Sequence, residues 1–339
     1  MVDTGVVTDT AVSAPACTYH PDRTTYRSCS RCGRPACPDC LIDAAVGAHC
    51  LTCVKASQTP ATQILAKDIK ALSHIRPSPV FGLIVALFVG SGIWAWLAPA
   101  DAGSLIDVVN GNGGSVGTSR IAIFVMVLSG WVLSLCLHEF GHALVAFMGG
   151  DRTVAAKGYL TLDPRKYTDR NLSLILPLVF LFLGGIGLPG GAVWINHSYI
   201  RSKRWESAMS LAGPFANIVF GCVLGIPFLL APASVAAHPT FASGLAFLAV
   251  LQFFAALLNL LPLPGLDGFG AIEPFLSRSF LQAIAPVRQY SFFILFLVIF
   301  RVPGLSNGLW TRAMWFSHQF SVPDGAFYLG QQLFRILHL

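Results

Sequence analysis

Charged side chains are scarce. Asp, Glu, Lys and Arg make up 11% of the 339 residues while 54% are hydrophobic, a balance that excludes an ordinary soluble domain and fits a chain whose solvent is lipid. The scarcity also empties the formal charge of +6 of meaning for nucleic acid, because in a membrane protein Lys and Arg mark the cytoplasmic loops. A second absence is of any long apolar run before Val80, which argues against an amino-terminal signal peptide. A third is of cysteine beyond the amino-terminal region. Seven of the nine cysteines lie between Cys17 and Cys53, leaving Cys136 and Cys222, which read as inert apolar residues within spans.

What the amino-terminal region does have is a ligand pattern. Residues 1–16 are small and polar and read as a disordered tail. Then come Cys17-x2-His20, Cys29-x2-Cys32, Cys37-x2-Cys40 and Cys50-x2-Cys53, and pairs with that gap supply enough soft ligands for two tetrahedral zinc sites. A disulfide framework is the alternative, but an odd number of cysteines leaves one over and close pairs make strained bridges. Zinc places this region in a reducing compartment. A stretch so short also has to be held by its metals. With Cys17, His20, Cys37 and Cys40 on one ion and Cys29, Cys32, Cys50 and Cys53 on the other, the interleaved order resembles the cross-braced B-box-type zinc finger. The resemblance covers residues 17–53, and it is what implies this pairing and a protein-binding role. His49, beside Cys50, could replace a neighbouring ligand. Residues 54–78 form a linker with Lys55, Lys67, Lys70 and Arg76, whose charge just before the first apolar run puts the N-terminus in the cytoplasm. His74 reads as an interfacial side chain.

Val80–Ala98 is the first span, running outward, with Trp94 and Trp96 at its far interface. Pro99–Arg120 reads as an external Gly, Asn and Asp loop. Ile121–Met148 returns and carries His138, Glu139 and His142, in the order HEFGH, in its inner half. Asp151–Arg170 is basic and cytoplasmic, and its β-branched stretch Thr153–Leu162 predicts a short strand or hairpin. Leu172–Ile195 is apolar but broken by glycines and Pro189; a re-entrant segment, rather than a single crossing, returns Arg201, Lys203 and Arg204 to the cytoplasm. Ala208–Leu230 then runs outward and Phe241–Leu261 comes back, ending in a broken helix that leads to Asp267. An unwound apolar helix beside a carboxylate is tolerable at membrane depth only where it lines a cavity. The re-entrant topology sets Asp267 and HEFGH at one depth. Gln289–Phe300 is short for a span, and Trp310–Phe320 and Phe327–Leu339 read as interfacial, the side of the C-terminus staying open. The expected fold class is an all-α polytopic membrane protein of about five to six transmembrane helices with a re-entrant segment, its membrane domain at 79–302 and an interfacial C-terminal segment at 303–339, plus the small double-zinc module.

Two imidazoles four residues apart face one side of a helix, and ionisable groups in hydrocarbon need a partner or a metal. A hydrolytic zinc takes three protein ligands and keeps one position open. Asp267 is the best third ligand, since Asp151, Asp163 and Glu273 sit in loops where a solvated acid needs no explanation. Glu139 is then the general base. Asn259 either donates to the developing oxyanion or holds the broken helix. HEFGH, NLLPLPGLDG (Asn259–Gly268) and AGPFAN (Ala212–Asn217) resemble the site-2 protease family of intramembrane zinc metalloproteases, matching its HExxH and N-x-x-P-x-x-x-L-D-G patterns over roughly residues 80–300. No stretch between the motifs holds a PDZ module, which points to the compact branch. Gly190–His197 reads GGAVWINH, where similar proteins have a Pro-rich loop.

The resemblance implies regulated intramembrane proteolysis: cleavage of a transmembrane segment of a single-pass membrane protein, such as an anti-sigma factor in a bacterial membrane. With the amino-terminal module, the expected complement is one catalytic and two structural zinc ions, with a cytoplasmic protein partner for that module and no nucleic acid. The alternative is a non-hydrolytic metal-binding scaffold or a transporter. A transporter would line a path with further polar residues, and the spans are nearly free of ionisable groups. His197, His238, His318 and His338 lie in loops or the tail, and Phe253, Phe254, Phe292 and Phe293 read as packing or lipid-facing residues.

Overall fold

A computed structural model describes residues 14–43, 48–58, 75–98, 102–110, 117–167, 195–288, 290–302 and 304–334. The chain divides into two compact units, Met1–Ser73 and His74–Leu339. In the first, β1 (Leu41–Asp43) pairs antiparallel with β2 (Ala48–Cys50), Leu41 opposite Cys50, and α1 (Leu51–Gln58) follows. The buried residues of this unit are Cys17, Cys29, Ala36, Cys37, Cys40 and Cys50. Its interior is therefore built mainly of cysteine side chains where a larger domain would have aliphatic ones.

Among its described residues the second unit is built of helices and the turns that join them, with no strand. Its long elements are α2 (Pro79–Leu97), α3 (Ala102–Val109), α4 (Gly117–Gly149), α5 (Lys203–Leu230) and α6 (Pro239–Asn259). After them come α7 (Asp267–Ile272), α8 (Arg278–Arg288), α9 (Ser291–Arg301), α10 (Leu305–His318) and α11 (Asp324–Phe334). Helices α2, α4, α5 and α6 are long and apolar enough to cross a membrane, and counting the bent pair Arg278–Arg288 and Phe293–Ile299, 87° apart, makes a fifth. The protein is thus multi-pass, and its environment is a lipid bilayer. Helix starts follow local chemistry. Ser78 caps α2 by accepting from Phe81 N–H (3.1 Å), with Pro79 in the first turn where its missing donor costs nothing.

Helix α6 is the centre of the unit and α2 its margin: 89% of the most apolar stretch of α6 is buried, against 17% for α2. The C-terminal stretch expected at the interface lays α10 and α11 against α6. Trp310 stacks on Phe254 with ring centroids 4.2 Å apart, Phe334 meets Phe247 at 5.5 Å, and Gly330 closes on the Ser243 carbonyl, where a Cβ has no room.

Two local expectations are corrected. Thr153–Leu162 is not a strand but a helical turn (Thr153–Ala156) followed by a 3-10 turn (Tyr159–Thr161). Asp151 accepts from the Thr153 amide (2.9 Å) and hydroxyl (2.7 Å), which favours a turn, and positive φ at Gly158 and Leu162 breaks any extended run. Pro99–Arg120, expected as a loop, contains α3, whose Leu105 is fully buried. The re-entrant segment expected at Leu172–Ile195 lies outside the described residues up to its last position, as do His74 and His338.

Candidate metal centre

Helix α4 presents His138, Glu139 and His142, all buried, at the end nearer the basic segment that follows it. Asp267 is delivered from elsewhere. Helix α6 stops at Asn259, the chain turns at Gly265 (φ +91°), and Asp267 opens α7. Gly268 packs so tightly on the Leu260 carbonyl that a Cβ would collide with it. The break after α6 is therefore what carries a carboxylate back to the imidazoles.

The donor atoms converge. Ligand atoms about 2.0 Å from a tetrahedral zinc stand about 3.3 Å apart. Here His138 Nε2 and His142 Nε2 are 3.1 Å apart, and Asp267 Oδ2 and Oδ1 lie 3.2 and 3.3 Å from them respectively. Each ring uses its other nitrogen as a donor: His142 Nδ1–H to the Met209 carbonyl (2.7 Å) and His138 Nδ1–H to Asn217 Oδ1 (2.6 Å). That tautomer turns both Nε2 lone pairs toward Asp267, whose Oδ2 is buried with no hydrogen-bond partner among the described residues. Three lone pairs facing one point repel one another, and a divalent cation makes the arrangement stable. Gly213 of α5 backs directly onto both Nε2 atoms, where a Cβ would overlap them.

The competing acids are occupied elsewhere. Asp151 takes Thr153 and the Asn196 amide (2.7 Å), and Glu273 pairs with Arg288. Asp163 pairs with Arg165 at 2.8 Å, and the hydrogen bond from that guanidinium holds its carboxyl below the usual range. Asn259 is the buried last residue of α6. His238 stacks on Trp96 (3.7 Å) and His318 pairs with Asp324, while His197 lies in a 3-10 turn outside the cluster. Cys136 is buried in α4, its carbonyl accepting from Tyr167 Oη–H (3.1 Å).

Relatives bear on what such a cluster does. The chain is 41% identical over 262 residues to the protein named "Putative zinc metalloprotease Rip2" of Mycolicibacterium smegmatis, covering 77% of this chain and 94% of that one. Its counterpart of the same name in Mycobacterium tuberculosis H37Rv is 43% identical over 243 residues, 71% of this chain and 86% of that one. The chain belongs to the site-2 protease family. A zinc metalloprotease by name from Bacillus subtilis, YwhC, is 32% identical over 185 residues, 53% of this chain and 81% of the relative. No family model and no solved structure matches. As a member of the family the protein is an intramembrane zinc metalloprotease.

This family member also carries the amino-terminal unit, in which two further groups of donors assemble, each within 4.8 Å: Cys17, His20, Cys37 and Cys40, and Cys29, Cys32, Cys50 and Cys53. The interleaving is the one the B-box resemblance implied. The groups repeat each other's second-sphere contact, with Cys37 N–H donating to Cys17 Sγ and Cys50 N–H to Cys29 Sγ, each at 3.2 Å. Sulfurs 2.3 Å from a tetrahedral zinc stand about 3.7 Å apart, and Cys32 and Cys50 are 3.7 Å apart. Burial raises the Cys17 thiol, but amide donors from Cys37, Tyr19 and His20 overcome it and bring it to about 6. Burial and the neighbouring Cys37 and Cys17 push Cys40 up to about 12. Thiols crowded this closely become anionic together only around a cation. His49 sits opposite Ile42 on β2 and joins neither group.

Sequence reasoning missed Met209, Ser134 and Gln252 and gave no site role to Gly213 or Asn217. Only Gly213 and Asn217 left a trace, as members of AGPFAN.

Proposed function

We propose that this protein is an endopeptidase that cuts within the transmembrane segment of a single-pass membrane protein, with His138, His142 and Asp267 holding the catalytic zinc and Glu139 as general base. The observation that supports it most directly is the convergence of the two Nε2 atoms, 3.1 Å apart, on the Asp267 carboxylate, whose Oδ2 lies 3.2 Å from His138 and Oδ1 3.3 Å from His142, flanked in sequence by a buried carboxylate at Glu139. Zinc held there supplies a Lewis acid and lowers the pKa of water to about 7.

The chain's own residues supply the rest. Glu139 takes the proton of the attacking water and returns it to the leaving amine. Asn259, at the end of α6, donates an amide N–H to the oxygen that gains charge. Gly213, having no side chain, leaves the zinc face of the two imidazoles open. A peptide bond within a helix is shielded by its own hydrogen bonds, so the substrate unwinds at the site, and the broken stretch between Asn259 and Asp267 offers backbone groups to an unwound segment.

The chain is organised as a tail (1–16), a module with two structural zinc ions (17–53), a linker (54–78), the protease domain (79–302) and a C-terminal segment (303–339). Arg152, Lys157, Arg165 and Lys166 after α4 support a cytoplasmic N-terminus and a site nearer the cytoplasm. The organisms of the relatives support a bacterial cell membrane. The amino-terminal module takes a cytoplasmic protein partner. Co-expression of wild type and Glu139→Gln with a library of single-pass proteins tests the reading: a membrane-stub product should form with wild type only, and the same product in both would remove the catalytic claim.

A further inference from the structure

The two imidazoles are held in different ways. His142 donates to a backbone carbonyl, that of Met209, which is an acceptor however it is approached. His138 donates to the side-chain amide of Asn217, and such an amide presents an acceptor or a donor depending on which way it is turned. With Asn217 reversed, its NH2 would face His138, Nδ1 would have to accept, and the ring proton would move to Nε2. A protonated Nε2 is no ligand. The competence of His138 therefore depends on what turns Asn217.

That control comes from two other helices' side chains. Asn217 Nδ2 donates to Ser134 Oγ of α4 and to Gln252 Oε1 of α6, both at 2.9 Å. The Ser134 hydroxyl donates in turn to Gln252 Oε1. All three side chains are buried, Gln252 completely. Gln252 is the single amide side chain in α6 before Asn259, and its Nε2 has no hydrogen-bond partner among the described residues. A buried amide of which only the oxygen is used is costly as packing. Its oxygen accepts from both Asn217 Nδ2 and the Ser134 hydroxyl, and with Nδ2 committed to that side the Asn217 oxygen faces His138.

We infer that Gln252 and Ser134 are positioning residues for the catalytic zinc, fixing the amide of Asn217 so that His138 keeps its proton on Nδ1 and its Nε2 lone pair on the metal. The inference rests on the zinc reading above, and the test separates the two. The full chain is purified in detergent and its zinc content followed against increasing concentrations of a competing chelator. The site's own equivalent is the one absent from a His138→Ala/His142→Ala variant; if wild type holds no such equivalent, the zinc reading itself falls. Given that equivalent, Gln252→Leu should weaken it about 10- to 100-fold, the usual consequence of removing an outer-shell partner of a ligating histidine. Gln252→Glu keeps an oxygen at the Oε1 position and replaces only the unpartnered Nε2, so it should hold zinc within a few fold of wild type. Ser134→Ala should shift retention in the same direction as Gln252→Leu, and it decides the matter if the leucine variant does not fold. Unchanged retention in both Gln252→Leu and Ser134→Ala overturns the inference. So does equal weakening by leucine and glutamate, which would make Gln252 a contact between helices and not an acceptor.

Discussion

Alanine at Gly213 would put one methyl group where the imidazoles converge. A Cβ there lies 2.6 Å from His138 Nε2 and nearer still to His142 Nε2. Non-bonded atoms settle roughly 3.5 Å apart, so one or both rings must retreat by about 1 Å. Their Nδ1 hydrogen bonds, 2.6 Å to Asn217 and 2.7 Å to Met209, oppose this. Helix α5 is also seated closely on α4, the Ala212 carbonyl lying where a Cβ on Gly141 would be only 2.7 Å away, so backing α5 off would open a void. Overpacking of this kind costs about 1 to 3 kcal/mol, which a folded chain of this size survives. Metal–ligand distances tolerate only about 0.2 Å. Zinc affinity at His138, His142 and Asp267 is therefore expected to fall by about 100-fold or more, beyond what loss of an outer-shell partner brings. Zinc per chain measured against graded chelator, with thermal unfolding of the same preparations, provides the assay. A Gly213→Ala protein that keeps the zinc removed by His142→Ala, with wild-type affinity, would refute the argument that this glycine clears the metal face.

Glu139→Gln should retain zinc while cleavage drops about 10²- to 10⁴-fold, the range for a lost general base; zinc loss in parallel would mark Glu139 as a ligand. Asn259→Ala should lower turnover by about 10²- to 10³-fold without changing zinc content if it donates to the developing oxyanion, and unchanged turnover would leave it a structural role. Cys17→Ser and Cys29→Ser should each release one zinc equivalent from the amino-terminal unit, separately; loss of both ions from either variant would contradict two distinct groups. The Asp163 carboxyl is held below its ordinary value by Arg165, so its contribution to the 151–167 segment is complete above the unfolded carboxylate range, near pH 4, and is lost as pH falls through the lowered folded value. Arg165→Ala should raise the pH at which that segment becomes protease-sensitive on acidification, by a modest amount because the Arg165 side chain is 63% exposed. An unchanged acid profile would show that the pair contributes nothing there.

The sequence by itself determined those features whose geometry is local. A helix places residues four apart on one face, so HEFGH announced two imidazoles on one side and a neighbouring acid before any fold was known. The two-residue gaps of the cysteine pairs likewise match the reach of one ion, and the proline and glycine run after Asn259 marked a broken helix with Asp267 inside it. Where local chemistry was misread, at Thr153–Leu162, β-branched residues were weighed above the cap that Asp151 provides. Tertiary structure decided the rest: that Gly213 faces both Nε2 atoms, that Met209 and Asn217 receive the opposite ring nitrogens, and that Gln252 and Ser134 turn Asn217. Helices α4, α5 and α6 are apolar almost all the way round, so their sequences carry no periodic signal of which face meets which neighbour. Rotation and depth of one such helix against another are set by close packing at small residues such as Gly141, Gly213 and Gly268, and only with the helices assembled do single polar residues far apart in the chain become one network.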